Sequence, residues 1–171
     1  IHYVRDPYQL VSRMWRTAPT IIDLGDGVEI GGTEITVIAG PCSIESEEKM
    51  QVIADFLYEQ GLRIMRGGVF KPRTSPYTYR GGGIESLKMF YRVCTDRGLK
   101  ICTEVMDVSQ IEPMMPYTDI FQVGTRNAQN FNLLDALGKY DKAVMLKRGM
   151  SGTIEELLQA AEYVFSGGNE K

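Results

Sequence analysis

The chain has 171 residues, of which 43% are hydrophobic and 24% charged, and a formal net charge of -3. These values describe about one soluble globular domain, and they argue against a general nucleic-acid binder, which needs a broad positive field to meet the phosphate backbone. No apolar run approaches the roughly 18 residues that span a bilayer, and the opening IHYVRDPYQLVSR is too charged for a signal-peptide core. Cys42, Cys94 and Cys102 form no disulfide pattern. The sequence therefore reads as cytoplasmic, with reduced thiols and neither nucleic acid nor membrane as a partner.

Residues 1–18, with Arg13, Trp15 and Arg16, read as a connector or arm, with Trp15 packed against a neighbour. Residues 19–171 read as one domain, opening with a hairpin over 20–36 that turns at Gly25-Asp26-Gly27 and caps the bottom of a sheet. ITVIAG (35–40) is then a buried strand, and SEEKMQVIADFLYEQG a helix with Met50, Ile53, Phe56 and Leu57 on its apolar face and Gly61 as its stop. LRIMRGG (62–68) is the second strand, followed by a helix over GIESLKMFYRVCTDRG that buries Leu87, Phe90 and Cys94 and stops at Gly98. LKICTEVM (99–106), DIFQVGTR (119–126) and AVMLKRG (143–149) supply three more strands. TIEELLQAAEYVFSGG is a helix, with Thr153 and Glu156 at capping-box spacing.

Alternating helices and continuous apolar strands imply an α/β fold with a parallel sheet, either open and doubly wound or closed as a (β/α)8 TIM barrel. A reactive or charged residue follows nearly every strand: Cys42, Arg66, Glu104, Arg126 and Lys147. Functional groups at many strand ends suit a barrel, whose loops converge on one mouth, and no GxGxxG follows the first strand.

Period-two alternation puts Gln122, Gly124 and Arg126 on one face of the fourth strand, and Cys102 and Glu104 on one face of the third. If these faces point inward, Arg66, Glu104, Arg126 and Lys147 converge, and so many cations require anions, from Glu104 or from substrate phosphate and carboxylate groups. The stretch MRGGVFKPRTSPYTYRGGG adds Lys71, Arg73, Thr74 and Ser75 as donors on a loop stiffened by Pro72 and Pro76, a cradle for a further phosphate, with Arg80 left to solvent. Cys42 in AGPCS precedes what reads as a helix N-terminus at Ser43 to Glu45, a setting that lowers a thiol's pKa and suits a nucleophile or metal ligand; Cys94 and Cys102 read as core.

Taken together, IAGPCSIES, MRGGVFKPRTSPYTYRG, TEVMD, QVGTRNAQNFNLL and VMLKRGMSGTIEELLQAAEYVFSGGN resemble, in order, the type I 3-deoxy-D-arabino-heptulosonate 7-phosphate (DAHP) synthases. The similarity is to the subgroup close to the 3-deoxy-octulosonate 8-phosphate (KDO8P) synthases, which typically carry a K-A-N-R type motif where Pro72 and Arg73 stand here. The resemblance implies a (β/α)8 transferase that condenses phosphoenolpyruvate (PEP) with erythrose 4-phosphate at a divalent metal (Mn, Fe, Zn, Co or Cd), the entry step of the shikimate pathway to aromatic amino acids, in a homo-oligomer (dimer or tetramer). Carried over by position, Arg66, Lys71, Arg126 and Lys147 would hold PEP, while Pro72, Arg73, Thr74 and Ser75 would receive the sugar phosphate. Cys42 would ligate the metal, and Lys71 and Glu104 would be catalytic, Glu104 by positioning water. Thr125 departs from the alanine usual before the arginine, but its backbone donor survives.

The family's other metal ligands, a histidine, a glutamate and an aspartate, lie on strands six to eight, and one more phosphate-binding arginine follows strand six. About five of eight strand-helix units are therefore expected here, and His2, on the N-terminal arm, is not assigned to that site. Three origins are open: a portion of a longer enzyme, a natural truncated product, or a barrel completed by a partner chain. The alternative functions are a KDO8P synthase and a noncatalytic phosphate-binding half-barrel.

Overall fold

A computed structural model describes residues 7–171. His2 lies outside the described residues. In chain order the elements are β1 (Ile22–Asp23), β2 (Glu29–Ile30), β3 (Ile38–Ala39), α1 (Glu47–Glu59), β4 (Ile64–Arg66), α2 (Gly83–Thr95), β5 (Lys100–Val105), α3 (Val108–Met114), β6 (Ile120–Val123), α4 (Phe131–Leu137), β7 (Ala143–Leu146) and α5 (Ile154–Ser166). Single 3-10 turns cover Met115–Tyr117 and Thr125–Asn127. Strands β3 to β7 form one sheet in that order, every pair parallel. These are five consecutive strand-helix units.

Side-chain alternation sorts the strands into two faces. Met65, Ile101, Phe121 and Val123 face outward into one core with residues of all five helices, among them Leu57, Phe90, Met114, Leu134 and Val164. On the other face Ile64, Cys102, Ile120 and Ala143 pack instead on Val28, Ile22, Leu24 and Ile30 of the β1-β2 hairpin. Helices on one side only make this a barrel wall, because a doubly wound sheet carries helices on both faces. The hairpin closes the lower end of the inner face as expected. Asp26 at its tip has φ 54° and pairs with Lys100 at the base of β5 at 2.8 Å. No helix among the described residues is long and apolar enough to cross a membrane.

Helix starts follow local chemistry. Thr153 and Glu156 form the reciprocal capping box at 3.1 and 2.6 Å, and Asp107 and Asn130 cap α3 and α4. α3 and α4 are additions to the sequence reading: each has seven residues, and Pro113 lies inside α3, so neither offers two turns of apolar periodicity. Two side chains differ from expectation. Phe56 is 58% exposed because the core-facing stripe of α1 runs through Met50, Ala54 and Leu57. Trp15 is 67% exposed; its segment is held by its backbone, through the N–H groups of Gln9, Leu10 and Val11 on the Glu162 carboxylate, and by an Arg16–Glu170 ion pair.

Candidate active site

The C-terminal ends of β3 to β7 lie side by side, so the residues that follow them line one edge of the sheet. Arg66 is the last residue of β4, half-buried. The chain then turns through Gly67 and Gly68, where side chains would collide: a Cβ on Gly67 would stand 2.2 Å from Ile44 Cδ1, and one on Gly68 2.9 Å from the Cys42 carbonyl oxygen. That close approach brings Lys71 onto Cys42. The Lys71 ammonium, on a residue only 7% exposed, donates to the Cys42 carbonyl at 2.5 Å and to its Sγ at 3.2 Å.

This contact corrects the expected cause of the Cys42 pKa. Helix α1 begins at Glu47 with Ser46 as its cap, past the thiol. The exposed Cys42 thiol is instead held below its ordinary range by the Lys71 hydrogen bond, then by the Lys71 charge, with smaller contributions from Arg66 and Arg73. Cys94 and Cys102 are core, as expected. Burial pushes Cys94 upward, and Cys102 up to about 12, with Arg66 opposing the latter.

Beyond Lys71 the loop is tied down at several points. Lys71 N–H donates to the Arg80 carbonyl at 2.9 Å, Arg73 Nε to the Tyr79 carbonyl at 3.1 Å, and the Tyr79 hydroxyl to the Ile44 carbonyl at 3.3 Å. The Ser75 hydroxyl accepts from Tyr77 N–H at 3.3 Å, while Thr74 is exposed. The Pro72 carbonyl accepts from Arg126 Nη1 at 3.1 Å, so the cation after β6 sits against the loop that carries Lys71 and Arg73. Arg126 does not continue the alternation of β6. The strand ends at Val123 and Arg126 lies in the following 3-10 turn, exposed. Lys147 is exposed just past β7, its N–H donating to Val123 at 3.1 Å.

Glu104, 9% exposed on the inner face of β5, accepts from Gln122 Nε2 at 3.1 Å. It therefore does not neutralise the cations. Among the described residues Arg66, Lys71, Arg73, Arg126 and Lys147 make no ion pair, whereas Lys49, Lys88, Arg97, Lys100 and Lys139 elsewhere each hold a carboxylate. Arg13, Arg63, Arg80, Lys142 and Arg148 also lack an ion pair among the described residues, so the edge is set apart by the clustering of its five cations at adjoining strand ends. Nothing in the sequence assigns a role to Gln122 or Tyr79. Gln122 stood on the inward face of its strand, but only the register with Glu104 shows its contact. No three His, Cys, Asp or Glu residues among those described converge as a metal site. A cavity of about 550 Å³ lies elsewhere, lined by residues such as Pro7, Phe131, Glu156, Glu162 and Tyr163; its charged residues are acidic, whereas the open strand edge carries the cations.

The family described as DAHP synthetase I matches residues 19–171, nearly the whole chain. The chain belongs to the DAHP synthetase I family. Within it, a phospho-2-dehydro-3-deoxyheptonate aldolase of Thermotoga maritima is 46% identical over 168 residues, covering 98% of this chain and 49% of the relative. A 2-dehydro-3-deoxyphosphooctonate aldolase of Syntrophotalea carbinolica is 33% identical over 160 residues, covering 90% of this chain and 58% of that protein. The crystal structure of the Thermotoga maritima DAHP synthase superposes with a TM-score of 0.92 at 46% identity, over 97% of this chain and 48% of that one. A truncated form of the Thermotoga maritima enzyme gives 0.83 at 42% identity, over 94% and 57%. The chain thus spans about half the length of the relatives it matches, and the five parallel units are part of the barrel of DAHP synthetase I proteins.

Proposed function

We propose that this chain forms the substrate-binding wall of a DAHP synthase, a transferase condensing PEP with erythrose 4-phosphate to give DAHP and phosphate. The observation that supports it is the gathering of five cations, none of them in an ion pair among the described residues, at adjoining strand ends along one edge of the sheet. PEP carries a phosphate and a carboxylate on three carbons, so holding it takes several fixed cations. Arg66, Lys71, Arg126 and Lys147 serve this end, with guanidinium forks matching the oxygens in pairs and ammonium groups acting as point charges. Lys71 arrives already oriented by Cys42, which reduces the entropy lost on binding. Pro72, Arg73, Thr74 and Ser75 offer the next donors outward, suited to the phosphate of the sugar. Glu104 stands below them as the carboxylate that positions water near the enolic carbon of PEP.

We assign Cys42 as one ligand of a divalent metal, on the basis of its exposure and of the Lys71 contact that lowers its thiol's pKa. One thiol is not a metal site, and the described residues do not complete one; no step is derived through the metal. The test uses the intact protein. Arg126→Ala and Lys147→Ala are each expected to weaken PEP binding and turnover at least tenfold, by loss of a charge-assisted contact of about 1.5–3 kcal/mol. Unchanged PEP affinity and turnover in both would refute the assignment. Faster turnover with arabinose 5-phosphate than with erythrose 4-phosphate would make it a KDO8P synthase instead.

A further inference from the structure

We infer that Gln122 is a positioning residue that holds the Glu104 carboxylate in one orientation at the substrate edge. The inference rests on the DAHP synthase reading of that edge. Glu104 and Gln122 are direct partners in the β5-β6 register and both face inward, with exposures of 9% and 4%. Gln122 Nε2 donates to Glu104 Oε2 at 3.1 Å and is the carboxylate's one side-chain donor among the described residues. The other oxygen, Oε1, lies over Gly124, where even a methyl group would stand 2.0 Å away. One oxygen is thus tethered and the other given a space that only glycine leaves open.

The choice of an amide has a chemical reason. A carboxylate only accepts, so the amide must present its NH2 group, which fixes the rotamer of both partners. A lysine or arginine in the place of Gln122 would hold the carboxylate as well, but would cancel its charge. Arg66 ends β4 on the same inner face and Lys147 follows β7. If either paired with Glu104, the edge would lose a cation for substrate and a carboxylate for the reaction at once. The neutral donor keeps Glu104 oriented and charged while the cations stay available to anions.

The test is a pair of double-mutant cycles on the intact protein, with Gln122→Met, which keeps the volume and removes the donor, and Glu104→Met. In the kinetic cycle Gln122→Met lowers kcat by about tenfold to a hundredfold, the range for misplacing a catalytic group, with the Kd for PEP within about threefold of wild type. Glu104→Met lowers kcat by about 10²- to 10⁴-fold, and the double variant stays within about threefold of Glu104→Met alone, because Gln122 acts through the group already removed. Losses that multiply would overturn the positioning role, as would a Gln122→Met enzyme weakened in PEP binding but not in kcat. Gln122→Asn, too short to reach, enters the same cycle if Gln122→Met does not fold. The thermal-melting cycle reads the pairing without turnover: Gln122→Met lowers the melting temperature in the wild-type background and leaves it unchanged or higher beside Glu104→Met. Equal drops in both backgrounds would overturn the pairing. An intact protein with no condensation activity would remove the functional reading and the positioning role with it, leaving melting to decide the pairing alone.

Discussion

Gly124→Ala should disable the site while leaving the backbone at rest. Gly124 has φ -70° and ψ 159°, a conformation alanine adopts freely, so the change introduces no backbone strain. The added Cβ, however, would stand 2.0 Å from Glu104 Oε1 and 2.8 Å from its Cδ. Ordinary carbon-oxygen contact begins near 3.5 Å, so the carboxylate must withdraw by roughly 1.5 Å. That movement takes Oε2 away from Gln122, 3.1 Å distant, and past the limit of a useful hydrogen bond. A lost bond to a buried charged group costs about 2 kcal/mol, or roughly 4–8 °C of melting temperature for a domain of 150–250 residues. Calorimetry and steady-state kinetics on the intact protein should therefore show a lower melting temperature together with reduced kcat. In a Glu104→Ala background the clash is gone and the second change should cost under about 0.5 kcal/mol. A Gly124→Ala enzyme with full turnover, melting within about 1 °C of wild type, would refute the geometry.

In metal-free protein, iodoacetamide should modify Cys42 alone among the described cysteines while the fold is intact, since Cys94 and Cys102 are buried. Lys71→Met removes the ammonium that favours the thiolate, so the thiol pKa rises and alkylation at neutral pH slows; an unchanged rate-pH curve would contradict the 3.2 Å contact. Asn169 is buried and donates to the carbonyls of Leu137 and Lys142 while accepting from Lys171 N–H, so Asn169→Ala should destabilise by about 2 kcal/mol in a urea titration. Thr153→Ala should cost about 1 kcal/mol through the capping box of α5, measured in the same way. Glu162→Ala removes the acceptor of three backbone N–H groups, and limited proteolysis between Gln9 and Arg16 should accelerate.

The sequence was most legible where one local force dominated. LKICTEVM sets Leu99, Ile101 and Val105 at alternating positions toward the helix-packed core, and the structure places β5 inside that stretch. The Thr153-Glu156 box and the Asp-Gly tip of the hairpin stand where local chemistry puts them. α3 and α4 were illegible because a seven-residue helix completes barely two turns, and tertiary packing of Ile111, Met114, Leu133 and Leu134 supplies what periodicity cannot. Phe56 could not be told from a core residue, since it stands at helical spacing from Ile53 and beside Leu57, while the stripe that is buried runs through Met50, Ala54 and Leu57. At the site, cationic strand ends were legible as residue types, but their freedom from carboxylates was not. From residue types alone Glu104 reads as one of their counter-ions, and only the register with Gln122 shows it engaged by a neutral partner. The Lys71–Cys42 contact was equally hidden, since it depends on two glycines letting one loop close over another.

The Glu104–Gln122 pair also guards the alignment of its own strands. Apart from Thr103, the remaining β5-β6 partners are apolar, and apolar neighbours tolerate sliding. A slip of one residue would turn Gln122 into the helix-packed layer and Phe121 into the hairpin-capped one, stranding a buried carboxylate with no donor. The penalty for a buried unpaired charge exceeds what any misaligned apolar contact could return. The same two side chains thus disfavour the slipped register, and a chain that has reached the stable pairing has already set the carboxylate in the position proposed for its role.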